Sequence, residues 1–379
     1  MDYCSKIIEK LYASAEGRGK GRSFIAEPAV RERVEKVALC LKNRAGVRAL
    51  LACTLAKAAN PKLDIRKPYT DIAGETTGDA YSGRLYDERH IQRLLEKPYY
   101  LPINSTTAFL TPGFRTKNIA LTPDTELEGR PAEMYKALLM LFEDIQTRRV
   151  AAKTVLAETL RLLVIERDHR QESIQGLVRD IRRSADKLPL SAEEIVSLIA
   201  QHLACKSASR VPVLIVAAAY RAATNKLGER VLPLHQHNAA DKQTGSAGDI
   251  EITLINDESI ITAYEIKMRS VAIADIDMAL AKIKPYAATM RNYVFVTTEP
   301  IAAEVRQYAA AKYEDLGGVE IAILDGLGFL RHFLHLFHRL RTDFLNAYQD
   351  LLLAEPESAV SHALKEAFLT LRKAAEGAQ

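Results

Sequence analysis

Long apolar runs are missing from this chain. Nothing in its 379 residues approaches the roughly 18 consecutive apolar positions of a membrane span. The opening Met1-Asp2-Tyr3-Cys4-Ser5-Lys6 has neither the apolar core nor the small-residue cleavage site of a secretory leader, so a cytoplasmic location without membrane attachment is expected. Cysteine is scarce. Cys4, Cys40, Cys53 and Cys205 are scattered without Cys-x-x-Cys spacing, and three of them sit among apolar residues at helical spacing. That distribution points to buried free thiols and against a zinc site or a disulfide framework. No Gly-x-x-x-x-Gly-Lys-Ser/Thr phosphate loop occurs, which argues against an NTP-driven motor. Internal repeats and low-complexity segments are also missing.

What is present is ordinary globular composition, 48% hydrophobic and 26% charged, enough for one large core or two modest ones. The net charge of +4 and sequence pI near 8.7 permit nucleic-acid binding. They fall short of the pI above ~9 that would indicate it unaided. The basic groups Arg18-Gly19-Lys20-Gly21-Arg22, Arg148-Arg149, and Arg179 with Arg182-Arg183 suit solvated helix faces as well as phosphate contacts.

Apolar residues recur at helical spacing over 30–41 and 46–59, and Asn60-Pro61 ends that pair. Residues 68–123 then change to Thr, Gly, Pro, Ser, Asn and Tyr without a sustained period. A stretch of that length is either a recognition loop or a surface loop packed on its own tyrosines. Helical patterning resumes over 131–148, 150–166, 173–185, 191–205 and 211–226, with Ser191 three residues before Glu194 as a capping box. The last of these is apolar almost throughout and predicts burial against a sheet. After Gly228 the pattern becomes that of strands, at 231–234, 249–256 and 260–268, the last two forming a hairpin. Helix 274–291, strand 293–298, helix 302–313 and strand 319–324 extend the sheet by two crossovers, and helices 327–353 and 358–377 close the chain.

The chain contains one acid-x-Lys match, Glu265-Ile266-Lys267, and it falls in the second hairpin strand, with Asp249 at the start of the first. Side chains alternate along a strand, so Glu265 and Lys267 share one face while Tyr264 and Ile266 share the other. Closure of the hairpin about Asp257 sets Asp249 opposite Glu265, at the ~4.5–5.5 Å Cβ separation of a cross-strand pair. Two carboxylates that close repel unless a cation lies between them, and oxygen ligands suit Mg²⁺. The expected metal ligands are Asp249, Glu265 and the Ile266 backbone carbonyl, with Glu251 as an auxiliary from the Asp249 face. Lys267 would orient an attacking water and offset charge on a phosphate. Arg269, on the Glu265 face, is expected to touch phosphate. The plainer alternative is an exposed hairpin with a Glu–Lys ion pair. Ile260, Ile261, Tyr264, Ile266 and Met268 make the strand too apolar for that, which favours charges kept inside a sheet for a purpose.

Gly248-Asp249-Ile250-Glu251 followed by Tyr264-Glu265-Ile266-Lys267-Met268-Arg269 resembles the active-site hairpin of PD-(D/E)XK nucleases, whose core runs helix, three-stranded meander, helix, strand. The resemblance implies an α/β fold: a restriction endonuclease-like core with a mixed β-sheet over 208–379, which also carries the closing helices. A mostly helical N-terminal region, 1–207, would hold the long loop and DNA recognition. It carries the first acid onto Asp249, the second onto Glu265 and the lysine onto Lys267. Gly248 stands where the signature has proline. Within that superfamily the chain resembles type II restriction endonucleases of the SacI type, on Gly-Asp-Ile-Glu…Glu-x-Lys-x-Arg and, upstream, on Tyr86-Asp87-Glu88-Arg89.

The resemblance implies Mg²⁺-dependent, sequence-specific cleavage of double-stranded DNA, by a homodimer matched to a palindromic site and in functional pairing with a cognate DNA methyltransferase. Bases would be read from loops 81–90 and 104–117, where Arg84, Arg89, Arg115 and Lys117 lie beside Asn104 and Asn118. Related cores also serve structure- or methylation-dependent repair and recombination nucleases, and DNA-binding proteins without catalysis. The intact Asp249, Glu265 and Lys267 weigh against the last. His332, His335 and His338 recur every third residue, drifting ~60° per step around a helix, which spreads them too far for a shared metal. His235 and His237 lack a partner ligand and suit a loop or a DNA contact.

Overall fold

Residues 45–59 are almost wholly Ala, Leu, Val, Thr and Cys, and they form a helix buried on nearly every side. Around it the first part of the chain is built. The computed structural model describes residues 2–70, 78–115, 118–183, 188–234 and 246–377, and the chain divides between Glu172 and Ser173 into two units.

In the first unit α1 (Tyr3–Arg18) starts on Asp2, whose side chain accepts the Ser5 N–H. It is followed by α2 (Pro28–Ala38), α3 (Ala45–Ala59), the one-turn α4 (Gly83–Tyr86), α5 (Ala132–Gln146) and the first part of α6 (Ala152–Arg183), a helix whose residues from Ser173 onward belong to the second unit. The sequence pattern suggests two helices, 150–166 and 173–185, where the structure has the single α6. Its charged middle contains no Pro or Gly to stop it, and Arg170 donates to Glu166 one turn back at 2.8 Å, support of the i,i+4 kind.

The irregular stretch is anchored to the core. Arg48, fully buried in α3, donates to Asp87 Oδ1 at 2.6 Å, Gln92 Oε1 at 2.6 Å and the Asn104 carbonyl at 2.5 Å. Asp87 also accepts from Thr107 Oγ1 and the Ala108 N–H. The paired charges satisfy one another, as burial requires. Tyr81 is buried too, and its hydroxyl donates to the Ile65 carbonyl at 2.9 Å. Asp87 begins a five-residue π-turn, Asp87–Ile91, a backbone form that tends to mark functional positions.

In the second unit α7 (Ala192–Leu203) carries the predicted capping box of Ser191 and Glu194. Residues 173–207, assigned from sequence to the N-terminal region, belong to this unit: Ile195, Leu198 and Ile199 share a core with Leu330, Phe344 and Phe368. Helix α8 (Val211–Leu227) ends on Gly228, whose φ of 72° is the left-handed turn that releases the chain into the sheet.

Five strands, β1 (Glu229–Val231), β2 (Ile250–Leu254), β3 (Ile260–Lys267), β4 (Asn292–Thr297) and β5 (Glu320–Asp325), lie side by side in chain order. The first three are antiparallel, the last three parallel, so the sheet is mixed. Crossover helices α9 (Ile273–Ile283) and α10 (Ala303–Ala310) pack Ile276, Ala279, Ile283, Val305 and Ala309 on one face, with Tyr293, Phe295 and Ile323. The other face, with Ile250, Ile252, Tyr264 and Val296, receives Val213 and Val216 of α8.

The expected closing helix 327–353 is two helices, α11 (Gly326–Leu336) and α12 (Arg341–Ala354), with a 3₁₀ turn at His338–Leu340. The bend lets Phe333 reach both Phe337 and Phe344, with ring centroids 5.1 and 6.0 Å apart. Helix α13 (His362–Gly377) completes the unit. Among the described residues no helix is long and apolar enough to cross a membrane.

Candidate active site at the end of the hairpin

The site begins with a constraint on β2. Gly248 is buried, and a Cβ there would lie 2.6 Å from the Tyr264 carbonyl oxygen, so the hairpin closes only over a residue without a side chain. The next residue, Asp249, then reaches β3, and its Oδ2 accepts the Ile266 N–H at 2.7 Å. Ile250 stands opposite Tyr264, so one step back brings Asp249 level with Glu265, the register that closure about Asp257 predicts. A bulge after Ile252 absorbs the remaining slack before the turn.

Glu265 and Lys267 point to the same face of β3, and Lys267 Nζ donates to Glu265 Oε1 at 2.9 Å. The other oxygen, Oε2, accepts from Lys282 Nζ at 3.0 Å and from the Tyr293 hydroxyl at 3.2 Å. Pattern reasoning did not find Lys282 and Tyr293. They come from α9 and β4, and no local spacing connects them to Glu265. Asp275 was missed as well, although an acid in the first turn of α9 is a recognisable helix-start signal. It accepts Arg269 through two bonds of 2.7 Å, accepts the Ala272 N–H, and lies 3.9 Å from Lys267 Nζ.

Burial pushes the Asp249 carboxyl above its ordinary value; the Ile266 N–H opposes this, the Glu265 charge adds to it, and Lys282 and Lys267 pull it back. Asp275 moves the other way, held down by the Arg269 guanidinium. The site therefore has one carboxylate that ionises reluctantly, for which a nearby cation would be favourable, beside one already paired with two ammonium groups.

The donor set suits Mg²⁺. Two carboxylates on neighbouring strands are hard oxygen ligands. In a strand the N–H and C=O of one residue point to the same side; because the Ile266 N–H points to Asp249, its carbonyl is directed past the start of β2 toward that carboxylate. Glu251 is engaged elsewhere: its Oε1 accepts the Ala247 N–H at 2.7 Å and the Ser246 hydroxyl at 3.1 Å, holding the turn that precedes Asp249.

The remaining candidates are dispersed. Arg84, Arg89 and Arg115 are exposed in the first unit, with Arg84 bonded to Glu88 at 2.7 Å. Lys117, His235 and His237 lie outside the described residues. His332, His335 and His338 are exposed, and His335 Nε2 stands 3.4 Å from Glu193. Of the cysteines, Cys53 is fully buried; Cys4, Cys40 and Cys205 are partly buried.

Residues 187–298, which carry α7, α8, β1 to β4 and all three residues of the Asp…Glu-x-Lys set, match the family described as the SacI restriction endonuclease C-terminal domain. No curated protein matches the chain significantly.

Proposed function

We propose that this chain, whose residues 187–298 match the SacI restriction endonuclease C-terminal domain, is a type II restriction enzyme with a PD-(D/E)XK core that hydrolyses double-stranded DNA at a defined sequence with Mg²⁺. The observation that carries the reading is the bond from Ile266 N–H to Asp249, which gathers two carboxylates and a lysine at one end of a hairpin. Asp249, Glu265 and the Ile266 carbonyl would hold the ion. When bound it supplies Lewis acidity at the scissile phosphate and lowers the pKa of an attacking water.

The protein's own groups do the rest. Lys267, one ion pair from Glu265, turns its ammonium to the phosphate oxygens and positions the water; as a compact charge it offsets what accumulates there. Lys282 and Tyr293 fix the Glu265 carboxylate from the opposite side. Arg269, clamped by Asp275, presents a fixed positive charge beside the path of the backbone. Arg84, Arg89, Arg115 and Lys117 are the proposed DNA contacts, and alanine at all four is expected to abolish site preference. A homodimer would address both strands of a palindrome, with a cognate methyltransferase protecting the host site.

The test is digestion of unmethylated plasmid and phage DNA with Mg²⁺, with EDTA, and with Lys267→Ala protein. Discrete fragments that need Mg²⁺ and vanish in the variant support the reading. Cutting that survives the variant overturns the site, and metal-independent cutting overturns the mechanism.

A further inference from the structure

A second group of ligating side chains lies in the first unit, on residues the hairpin chemistry does not use. Asp2, Cys4 and His90 each offer a ligand atom, and the three atoms lie within 4.8 Å of one another. Among the described residues no other set of three His, Cys, Asp or Glu side chains does so. His90 comes from the π-turn; Asp2 and Cys4 come from the start of α1. The side chains line a cleft of about 590 Å³ that Leu85, Tyr86 and Arg89 also line.

An independent feature marks the cluster as unfinished. His90 is only 9% exposed, yet its Nδ1 finds no hydrogen-bond partner among the described residues. Its nearest acid oxygen, Asp2 Oδ2, is 3.8 Å away, beyond hydrogen-bond reach. A buried ring nitrogen left unpaired is costly, which favours a partner for it. Asp2 meanwhile caps α1 through Oδ1, and its Oδ2, which accepts the Ser5 hydroxyl at 3.4 Å, lies on the side of the histidine.

We propose that Asp2, Cys4 and His90 bind a Zn²⁺-class ion, with water as the fourth ligand. One thiolate, one imidazole nitrogen and one carboxylate oxygen form a borderline-soft set that suits zinc and does not suit Mg²⁺ or Ca²⁺. Aspartate and thiolate together balance the 2+ charge. Binding deprotonates the Cys4 thiol and releases that proton to solvent. The ion ties the first turn of α1 to the turn that carries Arg89 and follows Arg84, so it would fix the segment proposed to read DNA. The sequence spacing conceals the site, because two ligands lie two residues apart and the third is far along the chain.

Titration of the full chain with Co²⁺ alone tests it, after dialysis against a chelator and without DNA. The expected result is one equivalent bound, with tetrahedral cobalt absorption and a thiolate charge-transfer band. Cys4→Ser should abolish that band, and His90→Gln should weaken binding beyond the ~10–100-fold that loss of an outer-shell partner costs. Asp2→Asn keeps the helix cap and removes only the charge, so weakened binding with α1 intact by circular dichroism separates ligation from capping. No charge-transfer band in the unaltered protein, or a band that survives Cys4→Ser, overturns the proposal and leaves His90 and Asp2 as a loose ion pair.

Discussion

Asp249 Oδ2 accepts the Ile266 N–H at 2.7 Å, so the first residue of the candidate site is held by the backbone of the strand that carries the other two. Burial raises the Asp249 pKa more than this bond lowers it. A carboxyl raised in the folded state gives its full stabilisation below the unfolded value of ~3.9 and loses it as pH rises through the folded value. At neutral pH ionised Asp249 therefore costs stability. Asp249→Asn keeps an acceptor for Ile266 and should melt higher than the unaltered protein at pH 7 in EDTA, with the difference vanishing below about pH 4. It should also lose DNA cleavage. A variant that melts lower at pH 7 would show that the neighbouring lysines already stabilise the charge.

Glu265 is neutralised by two ammonium groups, at 2.9 Å from Lys267 and 3.0 Å from Lys282. A bound divalent ion has to share that carboxylate with them. Two unit charges 4 Å apart interact by ~4 kcal/mol at an effective dielectric constant near 20. Removing the more remote lysine should recover part of this. Lys282→Met is expected to bind Ca²⁺ about tenfold more tightly, equivalent to ~1.4 kcal/mol, by calorimetry without DNA. Weaker binding would mean that Lys282 serves mainly to orient Glu265.

Arg48 and Asp87 are both fully buried, and each satisfies several partners of the irregular stretch. Loss of one member strands the other charge in the core. Arg48→Ala should destabilise the first unit by ~3–5 kcal/mol in urea unfolding. Replacing both members with apolar residues, Arg48→Met with Asp87→Leu, should recover much of that loss. A single variant with a cost below ~1 kcal/mol would show that water reaches the pair.

In the second unit His202 is fully buried between the Tyr348 hydroxyl at 2.8 Å and the Leu364 carbonyl at 2.9 Å. Burial lowers its pKa to about 4, against the partial opposition of the Leu364 carbonyl. A base depressed in the folded state contributes stability above its unfolded value of ~6.5, and this is lost as pH falls toward 4. The loss should total ~3 kcal/mol. It begins between pH 6.5 and 5, before ordinary carboxylates titrate, which makes that window diagnostic in urea titrations. His202→Gln should flatten the slope there; an unchanged slope would assign it to other groups.

The sequence alone determined what depends on covalent geometry and near neighbours. Alternation along a strand placed Glu265 and Lys267 on one face, and the short turn at 256–259 set Asp249 against Glu265. The apolar run of α8 required burial against a sheet, and Ser191 with Glu194 marked the start of α7. Each is fixed within a few residues by φ/ψ limits, side-chain period or turn length.

The tertiary structure decided the rest, because the partners are far apart in the chain and no local pattern encodes their meeting. The charged middle of α6 reads as a break when the contacts that keep it helical are not visible. The bend after α11 depends on Phe333 reaching Phe344. Residues 68–123 have no period because Arg48 and Asp87 organise their described part from inside the core. Lys282 and Tyr293 reach Glu265, and His90 reaches Asp2 and Cys4, only after packing brings separate elements together. Long-range placement of this kind is set by which apolar faces bury one another, and a single sequence states the faces without stating the pairing.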